Sequence, residues 1–503
     1  MSDKVLPTLN DQAAPEDRKL TRGIHPWHVT FIALGGIVGS GYFLASGAVI
    51  ASVGPSAAFA YILGGIIIYA VMMSFGELLV NLPRRGSFVS YAKEFMGPSA
   101  ATGIGWSYWA NWVAYCPAEA LALGILMNTF VPWSPSLYAL IFMGIITLIN
   151  VYQVTWFGHI ESILAMIKIG AIVLFSVLAI GIIFGLTGGG FVGTSVLIPV
   201  GTTSVFNALF PAGGVAVIVT MTLILVNFQG SEIVGLAAAE TQNPEVNVPR
   251  ACKAVTYRII GIYVIPLLLL VSILPYAEAG LESVVFSTAL TKYGFGWAAG
   301  FFTIVVMIAA FSCANSGVYG TVRALYGLSI EGLAPKQFMR LNRFNVPMFA
   351  TIFTIVPMWL VLLPGAISEL GILNIPSFAD SGIYLSLLYM SGFTGTICWL
   401  GIIISSMLMR RKIKARGYDV EATLKNKIPM YPVLPVVGIV LMLVALIGLG
   451  FQPDYFTVLF FAIPAVLVPA LIYKLASMAG KVRITETDSD EIGFDLKYPP
   501  ILK

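Results

Sequence analysis

The sequence is short of charge. Lys, Arg, Asp and Glu make up 10% of its 503 residues, against roughly 25% in a soluble domain. So few charges cannot cover a water-facing surface of this size, and lipid must be the solvent for much of the chain. No polybasic stripe with interleaved aromatics occurs, which argues against nucleic acid as a partner. Cysteine is scarce. Cys116, Cys252, Cys313 and Cys398 stand far apart and form no CxxC pair, so neither a disulfide framework nor a metal site is expected. Only three histidines occur, His25, His28 and His159, all near run ends, and they are assigned no chemistry. The apolar runs hold no paired catalytic carboxylates, histidine cluster or nucleophile–base set, and no GxxxxGK[ST] loop is present. An enzyme or an ATP-driven pump is therefore not expected, and no cofactor is implied. A cleavable signal peptide is not expected either, because the first apolar run begins near Trp27 after a polar tail and is too long for an h-region.

What is abundant is apolar. Hydrophobic residues reach 58% and the mean hydropathy is +0.89. Spanning a bilayer core takes roughly 20 apolar residues in a helix. Twelve such runs are read, over 27–52, 56–81, 99–128, 133–153, 160–185, 212–240, 254–275, 295–327, 347–365, 378–409, 432–450 and 456–478. The expectation is an all-α membrane protein with one membrane domain over 25–478. It lies between a disordered cytoplasmic tail, 1–24, and a second cytoplasmic tail, 479–503. Basic residues test this layout independently, because cytoplasmic connections collect Lys and Arg. With both termini inside a multi-pass cytoplasmic-membrane protein, only Lys292 and Lys168 of the 28 Lys and Arg fall outside the cytoplasmic stretches and their edges. Residues 84–97, with Phe88, Tyr91, Phe95 and Met96, read as an amphipathic surface helix that rearranges when an inner gate opens.

Two runs have the wrong chemistry for a continuous helix. The first contains Gly35-Gly36-Ile37-Val38-Gly39-Ser40-Gly41-Tyr42-Phe43, and each interior glycine costs about 1 kcal/mol of helix. The sixth contains Asn227-Phe228-Gln229-Gly230-Ser231-Glu232 at its middle, a polar stretch with a carboxyl group at bilayer depth. Close helix packing through small residues would explain the first run alone, and a protonated acid bonded to a neighbour would explain Glu232 alone. Their pairing says more. They open two successive five-helix sets, and interrupted segments at matching places in two halves point to a transport site. An odd number of helices inverts the second set. Unwound backbone is tolerated in a membrane only where protein or a wet cavity satisfies it. Freed N–H groups suit a carboxylate and freed C=O groups an ammonium, so two facing breaks would receive a zwitterion. Two breaks of unlike sequence argue against the continuous pore of a channel.

Three further ionisable groups lie within runs. Lys168 sits eight residues into the fifth run, where a charge costs at least about 2.5–3.5 kcal/mol on insertion scales. Its depth argues against snorkelling and makes it a candidate proton carrier. Glu119 lies near the middle of the third run. It could neutralise a cationic substrate, carry a proton or bond across helices. Glu77 and Glu161, nearer cytoplasmic ends, are read as gating or structural groups.

Four blocks carry a resemblance over nearly the whole chain: Ala33–Phe43; Ser74–Leu78 with Pro83, Gly86 and Tyr91; Phe228–Glu232 with Glu240, Asn243-Pro244 and Asn247–Arg250; and Arg323 through Glu331–Pro335. They resemble the amino acid permeases of the amino acid–polyamine–organocation superfamily. The resemblance implies a LeuT-like 5+5 inverted-repeat core, about 27–185 and 212–409, with two discontinuous helices and two peripheral helices over 432–478. It implies secondary transport of a free amino acid by alternating access, either proton-coupled symport or exchange, in a monomer or a dimer. Carried over by position, Gly39, Ser40 and Gly41 would hold the substrate carboxylate and Ile37 would face the substrate. Phe228, Gln229, Gly230 and Ser231 would line the site. Lys168 would stand where sodium-dependent relatives bind sodium, beside Ser312 and Ser316, so the proton is the expected coupling ion and sodium is not expected. Coupling candidates are Lys168, Glu119 and Glu232. Val226 and Gly317 fall where arginine/agmatine exchangers carry tryptophan, a departure from that branch.

Overall fold

A helix satisfies its own backbone, and only a helix or a closed barrel can do so in lipid. Helices accordingly fall in every one of the apolar runs of this computed structural model, and no strand occurs among the described residues. The structure describes residues 38–482 apart from 83, 85–86, 152–156, 189, 199–203, 234–251, 253–259, 282–283, 343–345, 373–380 and 453–454. Ile37, the tail 1–24, the rest of the first block before Val38, Pro83, Gly86, Glu240, the Asn243–Arg250 block and the C-terminal stretch beyond 482 lie outside the described residues.

The principal helices are α1 (Ser46–Val53), α2 (Ala57–Asn81), α3 (Phe88–Met96), α4 (Pro98–Asn128), α5 (Pro135–Val151), α6 (Phe157–Ile183), α7 (Gly213–Val226), α8 (Ile265–Ile273), α9 (Ala298–Ile330), α10 (Met348–Glu369), α11 (Ser381–Ala415), α12 (Val433–Leu449) and α13 (Phe456–Met478). Among the described residues, eight helical stretches are long and apolar enough to cross a membrane, and Pro135–Val151, Gly261–Ile273 and Val433–Leu449 are shorter apolar helices. The stretch Gly41–Asn81 among the eight folds back at Gly54, whose φ of 66° suits glycine, followed by Pro55. Helix α4 is the hub and packs against α3, α5, α9, α10, α11 and α13. Its burial explains its weak amphipathicity: Ala, Gly and Ser on several faces admit neighbours all round.

The segment 84–97 differs from its reading as a surface helix. Helix α3 forms, but Phe88 through Lys93 are buried. The reason is polar clamping at the end of α9. Ser90 donates to Glu331 Oε1 at 2.5 Å and Lys93 Nζ to Glu331 O at 2.9 Å, so α3 is tied into the bundle.

Candidate functional site

The first break is milder than full unwinding. Val38 and Gly39 are non-helical, and Gly41–Ala45 forms one π-helical turn that leads into α1. Such wide turns free backbone groups locally, often at functional sites. The second break follows α7. Asn227, Phe228 and Gln229 make only i→i−3 backbone bonds, of 3.1–3.2 Å, and Gly230 takes φ 95°. Only glycine adopts that angle without strain, so the chain turns there.

The two breaks touch. A Cβ added at Gly41 would collide with Asn227 Oδ1, so the absence of a side chain at 41 permits the approach. Asn227 Nδ2 donates to Tyr61 Oη at 2.5 Å, while its buried Oδ1 has no hydrogen-bond partner. Tyr61 also meets Ser46 Oγ at 2.9 Å. Beneath them Tyr42, Phe43, Tyr61, Phe228, Tyr263 and Phe286 form an aromatic cluster with centroids 4.5–6.5 Å apart. Phe228 thus packs toward α2, where a Cβ at Gly64 would meet its ring at 2.5 Å.

The expected carboxylate donors are only partly free. Ser40 N–H donates to Glu119, lying 2.9 Å from Oε2 and 3.1 Å from Oε1. A carboxyl group from α4 therefore sits where a substrate carboxylate was expected. Ser40 Oγ lies 3.0 Å from Tyr384 Oη of α11. Gly39 faces the same group: an added Cβ would meet Glu119, Tyr115 Oη at 2.7 Å and Cys313 Sγ at 3.0 Å. Tyr115 Oη is buried beside the Glu119 carboxyl group.

Gln229 and Glu232 bind α11. Gln229 Nε2 donates to Ser391 O at 2.9 Å, and the Ser391 hydroxyl lies 2.8 Å from Gln229 Oε1 and 2.6 Å from Asn111 Oδ1. Glu232 accepts from Gly230 N–H at 3.2 Å and Trp399 Nε1 at 3.1 Å. Ser231 Oγ caps its own turn by donating to Phe228 O at 2.7 Å.

Lys168 is 1% exposed and donates to Ser312 Oγ at 2.8 Å. Ser312 donates in turn to Glu161, also buried. The next residue, Cys313, is the one that reaches Gly39, so α9 links the Lys168 cluster to the first break through adjacent side chains. Ser316 is buried one turn further on. Gly317 abuts Trp112 of α4, whose ring a Cβ would strike. An indole from α4 thus fills the space that a tryptophan at 317 would take.

Sequence reasoning missed Asn111, Tyr115, Asn227, Tyr384, Ser391, Trp399 and the pairing of Glu161. Three of these had a signal. Glu161 and Lys168 are seven apart, and Asn111, Tyr115 and Glu119 four apart, so each set shares a helix face. Tyr384 and Trp399 had none.

The family model described as "Amino acid permease" matches residues 28–483. The chain is similar to the amino-acid permease RocC of Bacillus subtilis, 35% identical over 91% of this chain and 95% of that one. It is similar to the lysine-specific permease LysP of Escherichia coli, 32% identical over 88% and 89%. It is also similar to the histidine permease HisP of Lactococcus lactis, 32% identical over 84% and 87%.

Proposed function

This chain belongs to the amino acid permease family, and on that premise we propose that it takes up a free amino acid across the cell membrane by alternating access, as a proton-coupled symporter. In this reading all twelve apolar runs cross the bilayer, both termini are cytoplasmic, and the first ten helices form two inverted repeats. The observation that carries the reading is the meeting of the two broken segments at Gly41 and Asn227, beside an amide held by a buried carboxylate.

The chemistry of a cycle follows from that amide. Ser40 N–H serves one anion at a time. The carboxylate of Glu119 holds it here, and a substrate carboxylate must displace Glu119 to use it. A proton on Glu119 removes the charge from the bond, and charge-assisted hydrogen bonds are roughly twice as strong as neutral ones. Proton arrival thus favours the exchange of Glu119 for substrate. Lys168 joins the same helix junction through Ser312, so its charge state bears on the packing of α9 against the first break. Glu119 also favours symport over obligatory exchange, because an internal anion can satisfy the amide while the carrier returns without substrate.

The test uses purified protein in liposomes and a radiolabelled mixture of the twenty common amino acids. An inward proton gradient is expected to drive accumulation, equally in sodium and choline buffers. A sodium requirement, or uptake only into vesicles preloaded with amino acid, overturns the symport reading. Lysine and histidine, named in two relatives, are the first unlabelled competitors. Glu232→Gln keeps the shape but replaces one acceptor oxygen with a donor facing Gly230 N–H or Trp399 Nε1. The lost bond corresponds to about 0.5–1.5 kcal/mol, a several-fold lower turnover with an altered pH profile. Transport unchanged at every pH would leave Glu232 a purely structural group.

A further inference from the structure

Helix α11 runs from the site, as one 35-residue element, toward the side that the transport reading makes cytoplasmic. Tyr384 meets Ser40, Ser391 meets Gln229 and Trp399 meets Glu232. Near its far end Arg410 meets Glu77 of α2, a residue with no place in the substrate site. Arg410 Nε donates to Glu77 Oε1 at 2.8 Å and Nη2 to Oε2 at 2.5 Å. Glu77 also accepts from Ser406 Oγ at 3.2 Å and from the backbone N–H of Ile428 at 3.0 Å. Both partners of the pair are buried.

The Ile428 bond belongs to a strap, residues 424–428, in the connection between α11 and α12. One turn along α2 from Glu77, Asn81 brackets the strap backbone. It donates from Nδ2 to Lys425 O at 2.7 Å and accepts from Lys425 N–H at 2.8 Å. Asn426, with φ 48°, turns its amide toward Gly76, and the small residue makes room. A Cβ there would lie 3.1 Å from Asn426 Nδ2 and 3.5 Å from Cys252 Sγ. Cys252 is buried beside Gly76 and precedes the seventh apolar run.

We infer that Glu77 is a positioning residue for transport, the acceptor on which the 424–428 strap closes the cytoplasmic side, and that the strap leaves Glu77 when that side opens. The inference rests on the transport reading. Its physical ground is the kind of contact made. The strap is anchored by backbone-to-side-chain hydrogen bonds and one shared carboxylate, with only Leu424 and Ile428 buried as apolar anchors. Water can replace those polar bonds on release, and little apolar surface is uncovered. A purely structural loop would be expected to bury a larger apolar face. Arg410 also has an alternative carboxylate, because Nη1 reaches the exposed Glu421 at 3.0 Å. Arg410 keeps Glu77 as its partner when the strap is released.

The test reads Cys252 in the full-length protein in liposomes, by peptide mass spectrometry after alkylation with maleimide. Glu77→Gln weakens the strap's acceptor and is expected to speed Cys252 alkylation about tenfold, the population of a locally opened form changing tenfold per 1.4 kcal/mol. Cys116, Cys313 and Cys398 should keep their wild-type rates. An unchanged rate at Cys252, or a rise at all four cysteines, overturns the inference, the latter because it reports general loosening. The second arm is Asn426→Cys, oxidised to a disulfide with Cys252. Locking the strap should reduce uptake of the labelled amino-acid mixture about tenfold or more, with recovery on reduction. Full uptake by the locked protein, or failure of the pair to cross-link, overturns the inference. Absence of uptake by the unmodified protein would instead strike the transport reading, and the alkylation arm still decides whether Glu77 holds the strap.

Discussion

Liposomes carrying Lys168→Ala are expected to equilibrate the labelled amino-acid mixture across the membrane but not to concentrate it under an inward proton gradient. The wild-type protein should do both. The expectation follows from a buried chain of groups: Lys168 Nζ to Ser312, Ser312 to Glu161, and the neighbouring Cys313 against Gly39. A cation at that depth costs at least about 2.5–3.5 kcal/mol even on insertion scales, so its retention calls for a role that neutral alanine cannot fill. Removing it leaves Glu161 buried with Ser312 and without the nearby positive charge. Breaking a buried charge arrangement can cost about 3–5 kcal/mol, so loss of fold must be separated from loss of coupling. Ser312→Ala does this. It removes the hydroxyl bridge and leaves both ionisable groups in place. Reduced accumulation in Ser312→Ala with wild-type thermal stability supports coupling through this chain. A Lys168→Ala protein that still concentrates the mixture would exclude Lys168 as the coupling residue and leave Glu119 as the next candidate.

Gly41→Val is expected to weaken amino acid binding by about a hundredfold, or about 2.7 kcal/mol, while the protein stays inserted and helical. Two effects act together. A Cβ at 41 collides with Asn227 Oδ1, and overpacking of this kind costs typically about 1–3 kcal/mol. The β-branched side chain also crowds the π-helical turn beside the Ser40 amide. Scintillation proximity binding of the labelled mixture measures the loss. Asn227→Ala separates steric collision from other causes, because it removes the atom that is struck. If the breaks communicate through this contact, the double variant should recover part of the binding lost in Gly41→Val, a coupling that a double-mutant cycle reports directly. Unchanged affinity in Gly41→Val would remove the first break from the substrate site.

The places of the apolar runs and the two interruptions were legible from residue types alone. Gly39 and Gly41 marked the first break and Gly230 the second, and both appear there as turns. Less legible was the use to which each polar group is put. Ser40 was read as a donor to substrate, and its N–H is taken by Glu119, 79 positions away. Its hydroxyl meets Tyr384, 344 positions away. Gln229 was read as lining the site, and its amide is bound by Ser391, whose hydroxyl also meets Asn111. Residues 84–97 were read as lying on a surface, because amphipathic spacing does not reveal that Glu331 waits at the end of α9 to receive Ser90 and Lys93.

The sequence by itself determined the solvent, the helical segments, the points where helix breaks and the charged groups left at depth. These are local properties: hydropathy, glycine content and charge act through each segment's own free energy in lipid, whatever its neighbours. Only the tertiary structure decided that Glu119 holds the first break, that Ser312 joins Lys168 to Glu161, that Trp112 fills the space over Gly317 and that Glu77 receives the strap. In a low-dielectric interior every buried polar group needs a partner. Which partner it finds depends on the rotation and approach of distant helices, and no local pattern encodes that.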